Sequence, residues 1–342
     1  MKQLLVAALV LTGFAVVAGS ASSNTLCAGI VPQNDMHIPV NSFSAGGLSE
    51  AEFNSVMDKM DAYYIPLLKA KGKQYDLKRL WTDDTVNASA TEQGTDFIVN
   101  MYGGLARYPI MTTDGMTLVA CHETGHHLGG APKEGGSDGG GGGGNPFPFP
   151  FPFPVSGHVT DGGNPFPFPF PFPGGGGGGG MTWATDEGGA DYYANLRCFH
   201  FILGGEDNIA WVKANTVDPQ AKSTCSATYT DAKDAALCMR AATAGQVLAK
   251  IFQGLSKETT EPKFETPDSS IVTTTFDDHP HTQCRMDTYY QAALCMNDLK
   301  TELSDTDYKV GTCIDYNKVG ARPRCWFHPS TSVQDVPLAE AY

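Results

Sequence analysis

The sequence predicts an α+β fold, mainly helical, with a small edge sheet and one long interruption that joins no packed layer. Three observations carry this. Apolar residues recur at helical spacing in separated stretches, among them 49–71 and 231–255. One short run, Phe97-Ile98-Val99, reads as a strand. Residues 133–180 consist of Gly runs around two copies of Asn-Pro-Phe-Pro-Phe-Pro-Phe-Pro-Phe-Pro, at 145–154 and 164–173.

The elements follow in order. Residues 1–21 read as a signal peptide: Lys2 gives a positive start, Leu4 to Val17 an apolar run, and Gly19-Ser20-Ala21 the small residues of a cleavage site. The alternative is a membrane anchor, but the run is short for a span of about 20 residues. An exported chain follows, periplasmic or extracellular, with no stable membrane span after cleavage. Residues 22–132 then form the first part of a folded domain. Ser49-Glu50-Ala51-Glu52 is a capping box, followed by Phe53, Val56, Met60, Tyr63 and Leu67 along one helix face, which ends near Gly72. The stretch 77–111 is mixed, with the strand at 97–99 and a turn at Gly103-Gly104. Met116 to His127 has the pattern of a buried helix.

Alternating Pro in 133–180 forbids helix and central strand and favours polyproline II, while the Gly runs act as tethers. This composition builds no core, so the segment is an insertion, disordered or semi-rigid, rather than a domain. Residues 181–342 complete the same domain as a helical, Cys-rich part. Helices are expected over 184–203, over 231–255 (Leu237, Ala241, Ala244, Leu248, Ile251 and Leu255 on one face) and over 286–303.

The chain has 342 residues, 18% of them charged, and a net charge of −14. An acidic surface argues against a nucleic-acid partner, because phosphates need a basic stripe. The 9 cysteines, beside an export signal, predict disulfides with at least one thiol left over. A helix reaching back to 284 would keep Cys284 and Cys295 too far apart to bond.

His122-Glu123-Thr124-Gly125-His126 reads H-E-x-x-H. Residues four apart lie about 40° apart around a helix, so both imidazoles face the same way and reach one Zn2+ at about 2.0–2.1 Å. Glu123 falls on the adjacent face, placed to take a proton as general base. A catalytic zinc needs a third protein ligand. One zincin scheme continues H-E-x-x-H-x-x-G-x-x-H; this chain keeps Gly129 but has Pro132 where the last His belongs. The gluzincin scheme takes a Glu from a later helix with an Asp four residues on, and Glu187-Gly188-Gly189-Ala190-Asp191 fits it. Glu187 would ligate, and Asp191 would accept a proton from a ligating His and fix its tautomer. The bland alternative for these acids is a solvated helix N-terminus. The insertion leaves at Gly130 and returns at Met181, so both its ends should sit near the metal.

Four segments resemble a gluzincin family, that of HtpX, BepA and the CAAX prenyl endopeptidase. Asn87-Ala88-Ser89-Ala90 resembles its Asn-Ala-Phe-Ala, followed by a strand and a Gly-Leu turn at Gly104-Leu105. His122 to His126 resembles its His-Glu-Leu-Gly-His, and Glu187 to Asp191 its Glu-x-x-Ala-Asp. His279-Pro280 with Arg285 resembles its His-Pro segment followed by Arg. The likeness covers about 87–290 without the insertion. It implies a zincin-like core and a zinc endopeptidase that takes a protein or peptide substrate, extended in a cleft beside an edge strand. The Asn87 segment would lie near that cleft. His279 would approach the zinc or hold the reacting carbonyl, supported by Arg285, with Tyr192 or Tyr193 as further candidates for the oxyanion. The paired Gly188 and Gly189 depart from the pattern, each costing about 1 kcal/mol in a helix relative to Ala. Ser89 replaces an aromatic. Cys121 and Cys198 flank the two ligand helices, which must converge on one metal, so a Cys121–Cys198 disulfide is expected. Two rivals remain open: a zinc-binding chaperone or binding module without hydrolysis, and a surface protein acting through its Phe-Pro repeats.

Overall fold

The structure is a computed structural model and describes residues 29–31, 34–42, 46–135, 183–256 and 258–329. The expected signal peptide and one of the nine cysteines, Cys27, together with nearly all of the insertion, lie outside these residues.

The chain enters through helix α1 (Glu50–Ala70), started by the expected capping box: Ser49 accepts from the Glu52 amide while Glu52 accepts from the Ser49 amide. Its buried face is Phe53, Val56, Met57, Met60, Tyr64 and Leu68, slightly rotated from the expected stripe; Tyr63 and Leu67 are only half-buried. Strands β1 (Gln74–Leu80), β2 (Ala88–Gln93) and β3 (Asp96–Tyr102) form a sheet in the order β1-β3-β2, with β1 parallel and β2 antiparallel to β3. The central strand alternates strictly: Phe97, Val99 and Met101 are buried, and Val99 pairs with Leu77 on one side and Ala90 on the other. The strand read at 97–99 is therefore the middle of β3. The expected turn at Gly103-Gly104 is instead the start of a short helix, α2 (Gly103–Ala106).

Helix α3 (Thr113–Leu128) is the axis of the fold. Thr112 caps it by accepting from the Gly115 amide, and every residue from Asp114 to His127 is buried. It touches α1, β2 and β3, and also α4 (Glu187–Tyr193) and α8 (Ala232–Ser256). After α4 come a π-helical turn (Ala194–Cys198), α5 (Phe199–Leu203), α6 (Asn208–Ala214) and α7 (Pro219–Thr228). Helix α9 (Thr282–Leu294) packs on α8 and α4.

The helix expected over 286–303 is corrected at both ends. It begins at Thr282, whose amide and hydroxyl both donate to the Glu258 carboxylate, and it stops where Cys295 turns extended. A disulfide from Cys295 to Cys313 leads the chain into irregular structure there.

Four disulfides close among the described residues: Cys121–Cys198, Cys225–Cys238, Cys284–Cys325 and Cys295–Cys313. The first is the expected link between the ligand helices, and Cys284 and Cys295 indeed take different partners. This count of bridges fits an oxidising compartment. No described helix is long and apolar enough to cross a membrane.

Candidate metal centre

Two helices build the centre. Helix α3 carries His122, Glu123 and His126, and α4 carries Glu187 and Asp191. Asp186 starts α4 by accepting from the Gly189 amide, which places Glu187 in the first turn, aimed at α3. The paired glycines have a packing reason at Gly188. A Cβ there would come within 2.2 Å of the buried Trp326 indole, so only glycine lets that ring close over the first turn of α4. The Cys121–Cys198 bridge ties α3 to the end of the π-helical turn that follows α4.

His122 Nε2 lies 3.2 Å from Glu187 Oε2, and His126 Nε2 lies 3.8 Å from Glu187 Oε1. Two ligands bonded at about 2.0–2.1 Å to one tetrahedral ion stand about 3.3 Å apart, close to both separations. All three side chains are buried, with one donor atom from each inside a 4.8 Å cluster. His122 Nε2, His126 Nε2 and both Glu187 oxygens lack hydrogen-bond partners. Buried polar atoms are normally paired, and unpaired ones call for an explanation. Two imidazole nitrogens and a carboxylate, converging and unsatisfied, fit a divalent metal ion. The other close group of potential ligands, Asp268 with Cys284 and Cys325, is excluded because its two sulfurs are bonded to each other.

The far side of each imidazole is held. His126 Nδ1 is 2.8 Å from the Thr185 carbonyl oxygen, and His122 Nδ1 is 2.7 Å from Asp191 Oδ1. The Thr185 carbonyl keeps the proton on His126 Nδ1 and leaves its Nε2 lone pair facing the cluster, while His122 Nδ1 faces the Asp191 carboxylate as an ion pair, outside hydrogen-bond geometry. Asp191 is fixed in turn by Arg285, whose Nε and Nη2 donate to its two oxygens at 2.7 and 2.8 Å, and by the Tyr289 hydroxyl. Arg285 therefore does not support His279 as expected. It orients Asp191, and through it His122.

His279 does reach the cluster, with Nε2 3.3 Å from Glu187 Oε2 and Nδ1 3.1 Å from Asp278 Oδ1. Tyr192 and Tyr193 do not. Tyr192 donates to the Gly320 carbonyl, and the Tyr193 hydroxyl pairs with that of Tyr64 at 3.0 Å, so neither is free to hold an oxyanion. His127 is stacked between Phe97 and Trp183, and His200 faces the Asn195 carbonyl; both are structural.

The electrostatics follow from burial and charge. Burial pushes the Glu123 carboxyl up to about 8, with His122 opposing. Burial lowers His126 to about 4. For His122 burial also acts downward, but the Asp191 carboxylate overrides it and holds the imidazole up at about 9. Burial would raise Asp191; the Arg285 guanidinium brings it down to about 2. Glu123 is fully buried and both its oxygens are unpartnered.

Sequence reasoning singled out the three converging side chains, Glu123, His279, Asp191 and Arg285, but not the pairing of Arg285 with Asp191. It missed Thr185, Tyr289 and Asp278. The first acts through a backbone carbonyl and carries no side-chain signal. Tyr289 was visible as one helical turn beyond Arg285.

Both ends of the insertion lie at the centre, as expected. Lys133 and Thr185 form an antiparallel bridge, the Glu134 amide donates to the Ala184 carbonyl at 2.9 Å, and the Thr185 amide donates to the His126 carbonyl at 2.8 Å. No protein-family model, curated protein or solved structure matches the chain.

Proposed function

We propose that the centre is the active site of an exported zinc endopeptidase. His122, His126 and Glu187 hold one Zn2+, and Glu123 is the general base. The observation that carries this reading is the coincidence of three unsatisfied ligand groups with a fourth buried, unpartnered carboxylate that is not needed to bind the ion. The family resemblance adds support, since it assigns these residues the same roles.

When bound, the ion supplies a Lewis acid and a water of lowered pKa. The chain's own residues do the rest. A Glu123 carboxylate oxygen takes a proton from the attacking water and returns it to the leaving nitrogen. His279 donates from Nε2 to the substrate carbonyl oxygen as charge builds on it. The Thr185 carbonyl holds the proton on His126 Nδ1, and the Asp191 carboxylate faces His122 Nδ1. Arg285 and Tyr289 are positioning residues for Asp191. Among the described residues strand β2 pairs in the sheet with β3 alone and offers its other edge to an extended peptide.

The test is metal analysis of the purified protein together with digestion of an unfolded protein with and without chelator. One zinc per chain and chelator-sensitive cleavage are expected. Glu123→Gln should keep the metal and lose about 100-fold or more of the turnover. Bound metal with no cleavage, and indifference to Glu123→Gln, would favour a binding module instead. The alternative function in the Phe-Pro repeats falls outside the described residues; deleting 136–182 should leave cleavage intact if the peptidase reading holds.

A further inference from the structure

His279, proposed to receive the substrate carbonyl, already holds a piece of this chain, together with Arg285 and Asn87. Gly29, Ile30 and Val31 are buried, and their main-chain atoms are bound one after another. His279 Nε2 is 2.6 Å from the Gly29 carbonyl oxygen. Arg285 Nη1 donates to the Ile30 carbonyl at 2.5 Å. The Val31 amide donates to Asn87 Oδ1 at 3.2 Å, and Asn87 Nδ2 reaches the Val31 carbonyl at 3.5 Å. Every one of these contacts is to backbone, so none depends on which side chains the occupant carries.

The partners locate the segment. His279 borders Glu187, Arg285 holds Asp191, and Asn87 immediately precedes the edge strand β2. The segment therefore runs from the edge of the ligand cluster, at Gly29, towards the start of β2, with the Ile30 and Val31 side chains buried in the core. The Gly29 carbonyl sits on the imidazole proposed to hold the reacting carbonyl. His279 and Arg285 also wall a cavity of about 100 Å³, shared with Phe252, Ser256, Glu258 and Thr282.

We propose that Gly29–Val31 is an internal occupant of a groove that recognises polypeptide main chain, and that the centre is closed to substrate while this segment is docked. The closure rests on the peptidase reading; the groove and its occupant do not. Gly29 acts as the latch. Its φ is +91°, and a Cβ would come within 2.4 Å of the Ala88 carbonyl oxygen and 2.7 Å of the Asn87 amide. A larger residue is excluded twice over, by backbone conformation and by space. Beyond the segment, Asp35, Met36 and His37 are exposed, where a protease can cut.

The test uses the full chain with a site-specific protease sequence inserted between Asp35 and Met36, and separately Gly29→Leu without the insertion. After cutting, mass spectrometry of the folded fraction should find the fragment gone. A labelled synthetic peptide of residues 28–34 should rebind to the cut protein and be displaced by an unfolded polypeptide. Cleavage of that polypeptide should rise at least tenfold on cutting, and in the same direction in Gly29→Leu. The proposal is overturned if the fragment stays bound, if its loss unfolds the domain, if unfolded polypeptide fails to displace the peptide, or if cleavage is equal before and after the cut. Displacement without any cleavage upholds the groove and its occupant and removes the peptidase reading.

Discussion

Helix α3 carries two buried polar clusters, one at each end. Near its start, Asp114 receives Arg240 of α8 through two hydrogen bonds of 2.8 and 2.7 Å, and Arg240 also reaches Glu206 at 2.7 Å and Asn208 at 3.0 Å. Near its end, His122, Glu123 and His126 face Glu187, and the inward atoms of all four are unpaired. Both clusters bury charge on the same helix. The first spends its hydrogen-bonding capacity within the chain and needs nothing more. The second ties His126 Nδ1 and Asp191 on its outer side and keeps its inner atoms vacant, the pattern of a site that is completed by something else.

This contrast predicts a sharp separation of effects. The largest is at the ligand. Glu187→Ala should abolish metal uptake, read as metal content of the folded protein, and with it all cleavage. Arg240→Ala should do the opposite. Leaving Asp114 buried without its partner costs about 3–5 kcal/mol in a denaturant melt, while metal content per folded chain is unchanged. If Arg240→Ala weakens metal binding as much as it weakens the fold, the two clusters are one and the contrast fails.

A smaller effect is expected at the link between inner and outer atoms. Asp191→Asn should weaken metal affinity about 10- to 100-fold because it leaves His122 Nδ1 and Arg285 poorly matched; competition with a metal-binding dye measures it. The smallest concerns a buried acid with no part in either cluster. Burial pushes the Asp287 carboxyl up to about 7. The folded state therefore holds that proton more tightly than the unfolded chain, whose Asp titrates near 3.9. Stability from this group is fully present below that value and is lost as pH rises towards 7. Asp287→Asn should flatten the slope of stability against pH over this window, read from melts at several pH values.

Much of the centre was legible because its chemistry is local. H-E-x-x-H on a buried helix and Glu-x-x-Ala-Asp in the first turns of another are spacings that the helix converts directly into direction. The disulfide from Cys121 to Cys198 followed from the need for those helices to meet. Elsewhere, the sheet was only partly legible. In β3 the buried positions alternate, but β1 is half-exposed along most of its length and β2 buries three residues in succession, so neither shows a strand period. Helices α6 and α7 escaped notice although Asp207 and Asp218 cap them and Pro219 opens the second, because α6 spans only Asn208–Ala214 and α7 carries few apolar residues, and few residues of either are buried. The end of α9 was overrun because Ala292, Ala293 and Leu294 suit a longer helix; tertiary structure after Cys295 decides against it. The roles of Tyr192 and Tyr193 were misread because helical position gives a direction but not a partner.

The single bridge joining Lys133 to Thr185 has a consequence for how this gene can change. The bridge closes before the repeat begins and is tied to the core by the Thr185 amide on the His126 carbonyl and the Asp186 amide on the Pro132 carbonyl. Closing a longer loop adds only about 0.6 kcal/mol for each doubling of its length. A change in the number of Phe-Pro units would then leave the clasp residues, and the side chains they position, in the same covalent frame.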